Sequence, residues 1–508
     1  MTGSDGAVVV SVTGGVTGVA ATYERLLALA VTFEAAAERM RGWAARGAAV
    51  LVDSDLLASG LLAPLSLAEA EVAVVTATTG PDGVLSESAG WWLDAEALRL
   101  AVRLLQEADE LAEHALDALD HALGRALGQS LALSLGPAAP LWLPALAGGL
   151  AVTTVLWPRL PELGRDLLVE RLGDEGDDLQ EWVTDHPRLV ERLAAGGGGL
   201  VDGLRSPVVP LGPVAPLPPL GLLGLLGLLP PTRDTAAAAR LLAGAYDPGR
   251  PRTRALPGVA VPASAAPPRS VEDLVEHLAQ LSELSAPGRP EMNGTIEVQS
   301  FTGDDGVARH VVYLPGTDDM TTWPWTQDDD VRDMGTNLAL VGDLPTAYGA
   351  GVLDAMAAAG IGPDEPVLLA GHSQGGLQAA QLLDEQHGYR ITHVVTAGSP
   401  TAHLGPFPDG SHVLSLEQQG DVVPLLDGAA NPDSPEQVTL TFEAGPLTGR
   451  DVPGHHGFAA YAAGAAAADA SPHPGVREQV RSLHESGFLG AQPPDGVRHT
   501  VYRITRDP

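Results

Sequence analysis

The chain has no cysteine and no lysine in 508 residues, and only 4% of it is aromatic. Without cysteine there are no disulfides, no thiolate metal sites and no thiol nucleophile, and the redox compartment stays open. Without lysine every cation among the 29 Lys+Arg is an arginine, set against 64 Asp+Glu for a formal charge of −35. Such a balance repels nucleic acid and anionic membrane surfaces, so neither is expected as a partner; its plainest consequence is solubility. With 45% hydrophobic residues and so few rings, the core must be built from Leu, Val and Ala, and the long Ala/Leu stretches favour helix. The first residues also lack a basic segment ahead of a compact apolar run. No Sec-type signal peptide is expected, which leaves cytoplasmic residence or export by a non-Sec route.

The length suggests more than one domain, and two is the working number. From Ala21 to Ala45 apolar and charged residues alternate at helical spacing, which predicts a helix. After Asp94, a plausible N-cap, Leu98, Val102, Leu105, Ala108, Ala112, Ala115, Leu119 and Ala122 step by three and four. That stripe needs a neighbour, and the first helix is the simplest one, so residues 1–245 read as an α-helical bundle region open to a protein partner. Two uncharged stretches interrupt it, 139–157 and 206–232. The first approaches the length of a membrane span, but Pro140, Pro144, Gly148 and Gly149 weaken it; the second is broken repeatedly by Pro and Gly. Both are candidates for membrane contact, for a lid or for packing on the bundle. Residues 246–269 are Pro-rich without a sustained period and read as a linker. Ser270 then caps a helix running to Leu284.

From Thr295 the texture changes. Thr295–Phe301 and Arg309–Leu314 read as strands joined across Gly303–Gly306, followed by a helix over Tyr348–Ala359 and strands at Ile391–Ala397, His412–Leu416, Val438–Phe442 and Val497–Ile504. Strands separated by helices predict an α/β domain over 270–508, with a mostly parallel sheet covered on both faces. Within it, Pro366–Leu383 (PVLLAGHSQGGLQAAQLL) reads as strand, sharp turn, helix, with Ser373 at the turn in a G-x-S-x-G pattern. A serine hydroxyl is a weak nucleophile at neutral pH and needs a base held by a carboxylate. Asp421 follows in Gly420-Asp421-Val422-Val423-Pro424, and His455-His456 follow in Gly454-His455-His456-Gly457-Phe458-Ala459-Ala460-Tyr461. The order Ser, Asp, His is that of one triad fold among several.

In these segments, together with Val311–Thr317 (VVYLPGT), the region from about Thr295 to Glu485 resembles an α/β-hydrolase of the lipase/esterase kind, close in pattern to class 3 lipases and related actinobacterial hydrolases. The resemblance implies Ser373 as nucleophile, Asp421 as acid and His456 as base, His456 being preferred to His455 for its spacing to Tyr461. The oxyanion hole would use the backbone N–H groups of Gln374 and Thr317. His455 stands as the alternative base and Glu417 as the alternative acid. The implied substrate is an acyl or lipid ester, with no cofactor. The N-terminal helices resemble the hairpins of small type VII secretion substrates, with Gly42-Trp43-Ala44-Ala45 in place of the Trp-x-Gly turn those carry.

Other residues have plainer expected roles. His372 supports the turn or lines the pocket, because a residue adjacent on a sharp turn reaches the Ser373 hydroxyl poorly. His403 and His412 read as surface or strand histidines. The His455–His456 pair lacks a third ligand at a recognisable spacing, so no metal is expected. Asp328–Asp333 lacks the Gly and bidentate Glu of a calcium loop and reads as a solvated acidic loop. Trp323-Pro324-Trp325 either lines an acyl pocket or packs its own loop. The rival to an esterase is an inactive hydrolase-fold scaffold, or a secretion-associated protein that binds through its helical N-terminal region.

Overall fold

A strand inside a sheet covered on both faces reads as an unbroken apolar run. Pro366–His372 is such a strand in the computed structural model, which describes residues 7–59, 62–80, 83–134, 194–205, 234–285, 288–303, 305–320, 322–445, 452–492 and 496–507. The apolar stretches 139–157 and 206–232 lie outside the described residues. Val367 and Leu369 enter one core while Leu368 and Ala370 enter the other, as the period of two demands.

Among the described residues nine strands form one mixed sheet: β1 Val8–Gly14, β2 Arg250–Ala255, β3 Thr295–Thr302, β4 Ala308–Leu314, β5 Pro366–His372, β6 Arg390–Ala397, β7 His412–Gln418, β8 Gln437–Glu443 and β9 Val497–Asp507. Their order is β1-β8-β7-β6-β5-β4-β3-β9-β2. Neighbours from β4 to β8 pair parallel, with Tyr313 opposite Ala370 and Leu369 opposite Val394. The outer pairs β1·β8, β3·β4, β3·β9 and β2·β9 are antiparallel. One face is covered by α7 (Val271–Ser282), α12 (Phe458–Asp469) and α13 (Pro474–Glu485) through Leu274, Leu278, Tyr461, Ala465 and Leu483. The other is covered by α8 (Met334–Val341), α9 (Ala347–Ala359) and α10 (Gln374–Asp384) through Leu340, Val352, Met356, Leu377 and Leu382. Each fully buried aliphatic side chain contributes about 1.5–3 kcal/mol. Ser270 accepts from Asp273 N at 3.0 Å as the cap of α7, and the Asp469 carboxylate accepts from Val271 N and Glu272 N, both at 3.0 Å.

Two strands come from segments without a readable β period. β2 lies inside the stretch read as a linker; as the outermost strand it tolerates Pro251, which has no N–H to donate. β1 lies ahead of the helices and pairs with β8, with Val12 opposite Leu440. The loop Asp328–Asp333 is a correction. Instead of being solvated throughout, it buries Asp330, Arg332 and Asp333, because Arg332 pairs with Asp318 and Arg506 pairs with Asp333.

The chain divides into two compact units, Val19–Ala115 and, together, Met1–Gly18 with Leu116–Pro508. The first holds α1 (Val19–Val50), α2 (Ser54–Ser59), α3 (Pro64–Thr79) and the first part of α4 (Val84–Ser134). Buried Ala30, Ala37 and Ala44 on α1 recur at one heptad spacing, as do Ser88, Ala95 and Val102 on α4. Small residues let the two helices approach closely: Ser88 Oγ donates to Ala37 O at 2.8 Å and the Phe33 and Trp91 rings meet edge to face. The stripe expected on α4 is therefore rotated; Val102 is buried but Leu105 is half exposed. Downstream, α5 (Gly197–Arg205) and α6 (Thr235–Ala243) belong to the second unit, and α6 packs on α8. Among the described residues no helix is long and apolar enough to cross a membrane.

Candidate active site

Ser373 follows β5 directly and caps the N-terminus of α10 at φ 54°, ψ −125°. A non-glycine residue held there costs on the order of 1–3 kcal/mol, so the surroundings must impose it. They do so through Ser373 N–H, which donates to Ala397 O at 2.8 Å at the end of β6, and through Ser373 O, which accepts from Gly376 N and Leu377 N, both at 3.1 Å. The turn also needs naked backbone. A Cβ on Gly375 would sit 1.9 Å from Leu314 O, and one on Gly371 would sit 2.4 Å from the Gly375 carbonyl. The G-x-S-x-G spacing is thus what lets α10 leave β5 while touching β4.

Asp421 stands just beyond β7 and is buried. Its Oδ2 accepts from His456 Nδ1–H at 2.7 Å and from Tyr461 O–H at 2.6 Å, and its Oδ1 accepts from Val423 N–H at 3.0 Å. With Nδ1–H committed to the carboxylate, His456 Nε2 is the ring nitrogen left to take a proton. His456 ends the short helix α11 (Val452–His456). Its ring leans on the end of β6, since a Cβ on Gly398 would fall 2.9 Å from His456 Cε1. Ser373 N–H donates to the carbonyl of Ala397, the preceding residue, so Ser373 and His456 converge at one peptide. Burial, and then the Asp421 charge, push the Tyr461 hydroxyl well above its ordinary value, which keeps it a donor.

His372 binds the two halves of this arrangement. Its Nε2–H donates to His456 O at 2.9 Å, and its ring lies 4.6 Å from that of His456 and 4.2 Å from that of Phe458. Burial first, then neighbouring His456, lowers its pKa to about 3, so it is neutral at ordinary pH. It supports the site rather than serving as the base.

The alternative base and acid make other contacts. His455 Nδ1 accepts from Gln418 Nε2 at 2.9 Å, and Glu417 Oε1 accepts from Asn431 Nδ2 at 2.7 Å. His403 meets Asp427 Oδ2 at 3.3 Å and Leu340 O at 3.1 Å, and His412 stacks on His393 at 4.8 Å. Trp323 and Trp325 stack on each other at 5.4 Å, Trp323 being 54% exposed. Among the described residues no group of three or more His, Asp or Glu could hold a metal ion. A 590 Å³ groove along α13 and a 240 Å³ hollow beside Tyr246 both lie away from Ser373.

Gln374 opens α10, where an N–H has no partner within the helix and the dipole favours negative charge. Thr317 lies on the loop leaving β4, and that loop rests on Ser373: a Cβ on Gly316 would lie 2.9 Å from Ser373 Cβ. One side chain absent from the sequence reading joins the two. Asn337 Nδ2 donates to Thr317 Oγ1 at 3.0 Å and Asn337 Oδ1 accepts from Gln374 Nε2 at 2.9 Å. Nothing in the stretch Met334–Val341 marks Asn337; only the approach of α8 to both loops gives it this place. Tyr461 was legible only as part of the histidine segment.

What fold and site define is a class: an α/β protein with a serine on a strained strand-to-helix turn and an Asp–His pair at the same ends of the central strands. Compared with known proteins, the chain matches no family model, no curated protein and no solved structure.

Proposed function

We propose that the chain is a serine hydrolase of the α/β-hydrolase, lipase/esterase-like kind that cleaves a carboxylic ester through an acyl-enzyme. The observation that carries the reading is the pairing of His456 with buried Asp421 at 2.7 Å, at the β6 end that also anchors the strained Ser373. In the proposed cycle Ser373 Oγ attacks the ester carbonyl carbon and its proton passes to His456 Nε2. The tetrahedral oxyanion is held by the N–H groups of Gln374 and Thr317. The C–O bond then breaks, the leaving alcohol takes the proton from His456, and the acyl group stays on Ser373. Water, deprotonated by His456, attacks the acyl carbon; the bond to Ser373 Oγ then breaks, Oγ takes the proton back from His456, and the acid leaves. The apolar helices and the Leu/Pro/Gly-rich stretch 206–232 of the sequence favour a lipidic or acyl substrate.

Fluorophosphonate labelling tests this. The folded chain should be labelled covalently and Ser373→Ala should not; an unlabelled, folded wild type would sink the esterase reading. A second reading, a binding protein acting through its helices, draws on the exposed Trp43, Val72, Trp92 and Leu93 in the Val19–Ala115 unit. The same absence of labelling would favour it.

A further inference from the structure

Arg332 heads the fully buried side chains by size, and its guanidinium is spent on the loop that carries Thr317. Its Nη1–H donates to Gly316 O at 2.8 Å, and its Nη2–H groups reach Asp318 Oδ1 at 2.8 Å and Ser285 Oγ at 3.0 Å. The main chain is tied in return, Asp318 N–H donating to Arg332 O at 2.8 Å. Asp318 Oδ2 also accepts from Gly294 N–H at 2.7 Å. The segment holding Arg332 is itself fixed by the end of β9: Arg506 Nη1 donates to Asp330 O at 2.8 Å and to Asp333 Oδ2 at 2.9 Å.

A buried ion pair is weak support for stability, because desolvation cancels much of the attraction, and among the described residues Arg332 Nε finds no acceptor. What the arrangement supplies is direction. In a trans peptide the C=O of one residue and the N–H of the next point opposite ways. A guanidinium fixed on Gly316 O therefore fixes Thr317 N–H on the other side of the loop, while Asn337 holds the Thr317 hydroxyl and the Gln374 amide from a second side. We propose that Arg332 is a positioning residue for the oxyanion hole, orienting the Gly316–Thr317 peptide so that Thr317 N–H meets the developing oxyanion. This rests on the serine hydrolase reading above.

The test uses the full chain: wild type, Ser373→Ala, Arg332→Lys, Ser285→Ala and Asn337→Ala, assayed for kcat and KM on a short p-nitrophenyl ester. It adds the Ki of a trifluoromethyl ketone, which forms a tetrahedral oxyanion on serine, and the thermal midpoint. Arg332→Lys keeps the charge facing Asp318 but cannot reach all three acceptors. The expected result is a kcat lowered about 10- to 100-fold, toward the loss of one oxyanion donor, with KM within about threefold of wild type. The Ki for the ketone should rise by the factor that kcat/KM falls. If Arg332→Lys does not fold, Ser285→Ala carries the decision: it removes one of the acceptors that aim the guanidinium and should lower kcat with KM unchanged, while an unchanged kcat overturns the inference. Asn337→Ala reports separately on the Thr317 hydroxyl and the Gln374 amide. A folded Arg332→Lys with kcat/KM and Ki within about threefold of wild type, or one that raises KM alone, overturns the inference and leaves the hydrolase reading standing. A wild type without Ser373-dependent turnover overturns both.

Discussion

Asp421 Oδ2 takes two short hydrogen bonds at once, from His456 Nδ1–H and Tyr461 O–H, at 2.7 and 2.6 Å. Changing the acceptor and removing one donor test different roles. Asp421→Asn should lower kcat by about 10³-fold or more, since the amide can no longer hold the imidazole in the required tautomer. Tyr461→Phe should lower it by roughly tenfold, the scale of one hydrogen bond to a charged acceptor, with KM unchanged. Steady-state kinetics on a short ester read both, and a Tyr461→Phe enzyme indistinguishable from wild type would deny the tyrosine any part. His455→Ala should stay active where His456→Ala does not. At this scale the sequence carried a good deal. Ser373, Asp421 and the His pair stand in one order along the chain, and the spacing to Tyr461 favoured His456. Arg332 and Asn337 were illegible, because a side chain that works by reaching across to another loop leaves no periodic trace.

The elements obey the patterns that made them readable. β5 is apolar on both faces because helices cover both, whereas β8 sends Val438, Leu440 and Phe442 to one core and Gln437, Thr439 and Thr441 to the other face; Ser270 caps α7 as its place before Glu272 and Asp273 suggests. The close approach of α10 to β4 makes Gly375→Ala a severe change; a Cβ 1.9 Å from Leu314 O forces strand and helix apart. About 3 kcal/mol or more of stability should be lost, read as a lower denaturant midpoint. A second test is acid. His372 and His393, on β5 and β6, are both pushed down to about 3, by burial first and then by His456 and His412. Their folded values lie below the unfolded value near 6.5, so the unfolded chain binds protons first as pH falls. Stability is full above about pH 6.5 and lost toward pH 3, by up to about 1.4 kcal/mol per pH unit for each histidine. His393→Gln should flatten that decline in thermal midpoint; an unchanged slope would place the acid sensitivity elsewhere. Edge strand β2 escaped the sequence reading for a physical reason: an outermost strand needs neither an apolar period nor every N–H.

For the whole molecule, the telling feature is that the sheet is assembled from distant parts of the chain. β1 and β2, from the first residues and from the Pro-rich stretch, flank strands contributed by residues 295–507. Deleting residues 1–14 should bare the β8 edge, lower the unfolding midpoint and promote aggregation visible by light scattering. A fragment starting at 270 should fare worse still, lacking both outer strands; a monodisperse fragment as stable as the full chain would show that they are dispensable.

The sequence by itself determined the local grammar: which runs could be buried, where helices start, where a serine could stand on a glycine-flanked turn, and which acid and histidine follow it. These depend on neighbours within a few residues, where steric limits and periodicity act. The tertiary structure decided what pairs across long separations: β1 with β8, β2 with β9, Asp421 with His456 rather than His455, and buried Arg332 with the Gly316–Thr317 peptide. Such choices follow from which surfaces meet when helices cover the sheet, and local spacing carries no record of that.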